Sequence, residues 1–204
     1  MGIISPIQAF FMSKSDQNSV KPSADSLASA AQGFAKRGPA PVHLWNPEFC
    51  GDLDMRIARD GTWFYLGTPI GRKPLVKLFS SILKREGDDY FLVTPVEKVG
   101  IKVEDVPFIA VDFEVAEGPV ITFTTNVDEQ VTLGTEFPMR LEHNPKGEPA
   151  PYVLVRSNLE ARIDRKSFYR LVDRAVSRQF KGEMWLGVES SGEFFPFVQE
   201  TEID

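Results

Sequence analysis

The chain has 204 residues, 42% of them hydrophobic and 25% charged, which leaves room for one domain or two small ones around a packed core. Its formal charge of −6 excludes general nucleic-acid binding, which needs a basic footprint to displace counterions from phosphates. A single cysteine, Cys50, excludes an internal disulfide and a thiolate zinc cage, and fits a reducing, cytoplasmic compartment.

Residues 1–22 mix Ser, Lys, Asp, Gln and Asn without periodicity, which predicts a disordered leader, with Met12 as an alternative start. Its apolar run, Ile3 to Met12, is interrupted by Ser5, Pro6 and Gln8 and is too short to span a bilayer. Gly2 alone does not make a myristoylation signal, because Pro6 stands where Ser or Thr belongs. Residues 23–41 read as a peripheral helix and linker. Leu27, Ala30, Ala31 and Phe34 recur at helical spacing from Ser23 to Arg37, Gly38-Pro39 closes the helix, and Pro39, Pro41 and Pro47 extend the chain beyond it.

An N-terminal α+β unit is expected over residues 42–99. Asp60-Gly61 has the chemistry of a two-residue type I′ turn between Asp54–Arg59 and Thr62–Leu66. That pairing sets Ile57 opposite Phe64 and Met55 opposite Leu66 on one face, and leaves Arg56, Trp63 and Tyr65 on the other. Pro74 suits the first turn of a helix whose buried stripe is Leu75, Leu78, Phe79, Ile82 and Leu83, with Gly87 as its stop and Tyr90–Thr94 as the next strand.

A C-terminal β-rich unit follows over residues 100–204. Phe108–Val115 and Val120–Thr125, joined by Ala116-Glu117-Gly118-Pro119, lead to Gln130–Leu133 as a meander, and Asn144-Pro145-Lys146-Gly147 turns Met139–His143 into Tyr152–Arg156. A long helix is predicted over 164–179, with Phe168, Leu171, Val172, Ala175 and Val176 as its apolar stripe. About six strands and this helix make a curved antiparallel sheet or partial barrel closed by one helix. The two helices match at an offset of 93 residues (163 − 70): Ile70 with Ile163, and Arg72-Lys73 with Arg165-Lys166. The fold class is therefore α+β, with a duplicated hairpin-helix-strand unit.

Enzyme signatures are sparse. The chain has no G-x-S-x-G elbow, no H-E-x-x-H and no C-x-x-C pair, and His43 and His143 lie in separate loops. No histidine stands in a motif beside Cys50, which is expected to be small and buried rather than nucleophilic. Asp52 and Asp54 point to one side of a strand, and with Glu97 they are the candidates for acid/base work in a hydrolase or transferase, or for holding a divalent cation. Gly67-Thr68-Pro69-Ile70-Gly71-Arg72-Lys73-Pro74 joins a strand to a helix without the spacing of a Walker motif. The helix N-terminus and its two cations nonetheless favour an anion. Charge is also segregated: residues 70–85 hold no acid, whereas 86–160 hold fifteen acids against five bases. Trp63 and Tyr65 can stack on a planar ring, with Arg56 beside them. Arg56, Trp63, Tyr65, Arg72 and Lys73, faced by Arg156, are thus expected to line one site for a small anionic planar ligand of nucleotide type. A protein-interaction module exposing a basic helix is the third reading.

The run Phe49-Cys50-Gly51-Asp52-Leu53-Asp54-Met55-Arg56-Ile57-Ala58-Arg59-Asp60-Gly61-Thr62-Trp63, followed by Gly67-Thr68-Pro69-Ile70-Gly71-Arg72, resembles the bacterial family catalogued as domain of unknown function 1285. So do Leu92-Val93-Thr94-Pro95-Val96-Glu97-Lys98-Val99 and the segment from Val155-Arg156 to Ala161-Arg162. The resemblance implies a duplicated core, a C-terminal unit superficially like pleckstrin-homology folds, a nucleotide-type site between the domains and a role in signal transduction. It implies no established activity and no particular cofactor.

Overall fold

The computed structural model describes residues 23–34, 39–144 and 146–202, so the expected leader lies outside the described residues, as does the expected helix end at 35–37. Among the described residues the chain is mostly sheet, with three α-helices and three sheets. No helix among them is long and apolar enough to cross a membrane.

Helix α1, Ala24–Ala31, begins at a capping box in which Ser23 and Ser26 each accept the other's backbone N–H. It buries Leu27 and Ala31 and packs on α2, Lys73–Ser81. The first sheet comprises β1 (Phe49–Ile57), β2 (Trp63–Tyr65), β3 (Thr68–Pro69), β4 (Leu83–Glu86), β5 (Asp89–Val93) and β6 (Lys98–Val103), in the order β3-β2-β1-β6-β5-β4. Only the central pair, β1 and β6, is parallel. Parallel neighbours need a long crossover, and the segment carrying α2 and the β4–β5 hairpin supplies it.

The second sheet comprises β7 (Phe108–Ala116), β8 (Val120–Thr125), β9 (Gln130–Thr132), β10 (Met139–His143), β11 (Pro149–Arg156) and β12 (Leu159–Ile163). Its order is β9-β8-β7-β12-β11-β10, again with only the central pair, β7 and β12, parallel. The two sheets therefore share strand order and pairing sense, and the repeated unit is six strands: residues 49–103 and 108–163. This corrects the repeat expected at an offset of 93. Helix α2 lies between the third and fourth strands of its unit, where residues 133–138 hold no helix in the other, and α3 (Arg165–Val172) follows the sixth strand. Surface helices share amphipathic periodicity whatever their place in a fold, which is why the two matched in sequence. The two six-stranded sheets are joined by the connection from Val103 to Phe108.

Both helices are shorter than expected. The segment read as the end of a helix over 164–179 is instead β13, Val176–Phe180, because Lys181 and Gly182 both take positive φ (52° and 91°) and reverse the chain in two residues into β14, Glu183–Ser190. Gly87, at φ 61°, opens the two-residue turn from β4 to β5 and does not stop a helix, so Leu83 pairs with Leu92 in the sheet. With β15, Glu193–Gln199, the last strands form a third sheet, β13-β14-β15, and the C-terminal half has nine strands.

The second sheet curls into a half-barrel, with α3 packed against β7 and β14. One continuous core runs from Leu27 of α1 through both six-stranded sheets to Phe195 and Phe197 of β15. Ser190 ties the third sheet to the second: its buried hydroxyl accepts the Ile121 N–H at 2.9 Å and donates to the Leu133 carbonyl at 2.7 Å.

Candidate functional site

The β1–β2 turn decides which side chains can share a surface. Gly61 N–H donates to the Ala58 carbonyl at 2.9 Å, Ala58 N–H donates to the Thr62 carbonyl at 2.9 Å, and Gly61 sits at φ 82°. This is a three-residue loop ending in a glycine bulge, one residue longer than the expected turn. The pairing becomes Met55 with Tyr65, Arg56 with Phe64 and Ile57 with Trp63. A slip of one residue moves every side chain to the opposite face. Trp63 is accordingly 1% exposed and stacks on Phe79 of α2, with ring centroids 6.3 Å apart. Tyr65 is half-buried against the same core, while Arg56 lies on the outer face, paired with Glu104 and 4.2 Å from the centre of the Phe64 ring. The expected stacking platform is thus split between two faces of the sheet.

Arg72 and Lys73 do line a cleft. It encloses about 1280 Å³ between α1, the start of α2 and the β8–β9 turn, with Gln32, Arg72, Lys73, Lys77, Asp128 and Glu129 on its walls. Arg72 is the N-cap of α2, no side chain caps the helix, and Pro74 occupies its first turn. Pro74 has no N–H and the Leu75 N–H donates to the Arg72 carbonyl at 2.9 Å, so in this first turn the Lys73 N–H is left without a backbone partner, at the positive end of the helix dipole. Lys73 and Lys77, one turn apart, both bind the Asp128 carboxylate, at 2.7 and 3.1 Å. Arg72 has no carboxylate partner among the described residues.

Lys73, and then Lys77, hold the Asp128 carboxyl below its ordinary value by hydrogen bonding. A carboxyl whose folded pKa is depressed contributes stability above its unfolded pKa, about 4, and loses it as pH falls through the folded value. Acid melting curves of Asp128→Asn should accordingly fall less steeply than those of the parent below about pH 4. Identical acid limbs would show that Asp128 has no such role.

Arg156 does not face the β1–β2 hairpin. Its side chain, 18% exposed on β11, donates to the Glu129 carboxylate and to the Ser80 carbonyl near the end of α2, and lies 5.0 Å from the centre of the Phe108 ring. Burial pulls its guanidinium below the usual range, against the opposing pull of Glu129. Glu129 and Ser80 also line the cleft, so Arg156 anchors its back wall and joins the two six-stranded units.

The acid/base candidates do not assemble. Asp52 and Asp54 are exposed on β1, whereas Glu97, at the β5–β6 turn, has its carboxyl pushed up by burial, with Ser26 of α1 acting in the opposite direction. No hydrogen bond joins the three, and among the described residues no cluster of His, Cys, Asp and Glu could hold a metal ion. Cys50 is exposed, not buried as expected, and its thiol donates to the Glu48 carbonyl at 3.4 Å. Sequence reasoning missed Asp128 and Glu129, which were visible only as two acids in a generally acidic span.

Two six-stranded sheets of one topology, a third small sheet and a cleft at the junction define a two-unit, β-rich protein. The chain belongs to the DUF1285 family: residues 40–106 match the model for "Domain of unknown function (DUF1285), N-terminal domain", and 107–197 match that for "Protein of unknown function (DUF1285), C-terminal domain". The crystal structure of a DUF1285 family protein from Silicibacter pomeroyi DSS-3 is similar, with 57% identity and a TM-score of 0.78 over 87% of this chain and 97% of that one. A DUF1285 family protein from Shewanella baltica OS155 is 31% identical, with a TM-score of 0.50 over 59% of this chain and 91% of that one. No curated protein matches the chain.

Proposed function

We propose that this chain is a ligand-binding or ligand-sensing module that takes a small phosphate-bearing anion in the cleft at the start of α2. One observation carries the reading: Arg72, Lys73 and Lys77 converge with the uncapped end of α2 on a single cavity. The planar, nucleotide-type part of the ligand rests on the family resemblance, since Trp63 is in the core and supplies no stacking surface. A role in signalling, a cytoplasmic setting and the pleckstrin-homology likeness of the C-terminal unit go with the same reading. In it, the curled second sheet supports the β8–β9 turn that carries Asp128. Asp128 is the internal competitor, because its carboxylate occupies the lysines that an incoming phosphate would use.

Calorimetric titration with inorganic pyrophosphate and with adenosine and guanosine nucleotides tests this. Lys73→Ala should weaken binding about tenfold, Asp128→Asn should strengthen it by a similar factor, and added salt should weaken it in the parent. Saturable binding that ignores both substitutions, or no binding by any of these anions, would overturn the assignment. Turnover of a bound nucleotide would instead support the transferase or hydrolase reading.

A further inference from the structure

The outer face of the first sheet carries a second concavity of opposite character. It encloses about 340 Å³, and the side chains around it are Phe49, Asp52, Asp89, Phe91 and Lys98, with Gly100 between them. Gly100 lies on β6, the central strand, directly opposite Asp52 of β1 on one side and Phe91 of β5 on the other. It is the floor of the dent. A Cβ there would collide with the Asp52 carboxylate and push it aside while only touching the Phe49 ring at 3.7 Å, so glycine is what lets Asp52 lean over the strand. The β1–β6 register shifts between Phe49 and Asp52, with Gly51 at φ 102°, and this brings two residues three apart to one face of the sheet.

The walls are aromatic, with Asp52 and Asp89 as acids and Lys98 as one cation. Phe49 is 54% exposed and meets Phe91 edge to face, with centroids 6.1 Å apart. Lys98 already lies 4.9 Å from the Phe91 ring centre and is itself paired with Glu86 at 3.1 Å, so this wall attracts cations within the fold. Asp52 and Asp89 have no cationic partner among the described residues. An exposed phenyl ring, two free carboxylates and a gap one side chain deep together complement a flat organic cation. A guanidinium suits it better than an ammonium: it is planar, weakly hydrated, stacks on a ring and presents a fork to a carboxylate.

We propose that this dent is a second binding site, for an alkylguanidinium ligand, with Asp52 as counter-charge, Phe49 and Phe91 as the π wall and Gly100 as the floor. It is independent of the anion cleft in position and in charge. The test is a titration of the full chain with agmatine, followed by nuclear magnetic resonance at the amides of residues 49–52 and 98–101, with arginine amide and putrescine as comparison ligands. Saturable shifts with agmatine are expected, weaker binding of putrescine, and about a tenfold loss in Asp52→Asn and in Phe49→Leu. Both positions are exposed, so these variants keep the fold, which melting curves verify. Gly100→Ala should remove binding by filling the floor, whereas Lys73→Ala should leave it unchanged. Shifts that fail to saturate, or an affinity indifferent to both Asp52→Asn and Phe49→Leu, would overturn the proposal.

Discussion

Replacing Arg156 with alanine should lower stability by about 3 kcal/mol or more, because removing one member of a buried pair strands the charge of the other. The side chains of Arg156 and Glu129 are only 18% and 23% exposed, and the second Glu129 carboxylate oxygen is buried without any partner. Once Arg156 is gone, Glu129 has no counter-ion and the Ser80 carbonyl loses a charged donor. For a chain of this size the loss corresponds to a melting temperature roughly 6–12 °C lower. Arg156→Lys should recover only part of it, since an ammonium carries charge but cannot fork between a carboxylate and a carbonyl. The double variant Arg156→Leu, Glu129→Leu separates pairing from packing. If the loss comes from a stranded charge, the double variant will be more stable than Arg156→Ala; if it is as unstable or worse, the contribution is mainly shape.

The same pair shows why the site was only partly visible in the sequence. Arg156 was legible as a cation on a strand, but its partners lie 27 and 76 residues away, and nothing local announces a contact of that range. Val120–Thr125, which alternates cleanly, was legible, as were Phe108–Ala116 despite its register shift between Ala110 and Asp112, the turn before β11 and the apolar face of α2, because periodicity reports burial directly. The two overlong helices share one cause. Val176–Phe180 and Leu83–Glu86 are short segments adjoining amphipathic helices, and over four or five residues a helical stripe and a strand alternation are hard to tell apart. The hairpin turns Lys181-Gly182 and Gly87-Asp88 were the deciding signals. The duplication was real, but it resides in the order of the strands, which leaves almost no trace in the residues themselves.

Gly61→Ala should destabilise the protein by about 2–4 kcal/mol, from two effects that act together. Gly61 holds φ 82° at the glycine bulge, a conformation that costs alanine about 1 kcal/mol or more. Its Cβ would also fall 2.7 Å from both Asn126 Nδ2 and Ile109 Cγ1 of the second unit. Asn126 cannot retreat freely: its side-chain oxygen accepts the Ile109 N–H at 3.1 Å, and its amide donates to the Gly61 carbonyl at 3.4 Å. The methyl therefore presses on the contact by which the β1–β2 loop docks on the second sheet. Gly67→Ala is the matched control. Gly67 has a similar positive φ of 74° with nothing within 4 Å of its Cβ, so it carries the backbone cost alone. Denaturant unfolding of the two variants should place Gly61→Ala at least about 1 kcal/mol below Gly67→Ala, with an unchanged slope against denaturant. Equal losses would mean that the loop yields at no cost and that Asn126 does not fix the junction between the units.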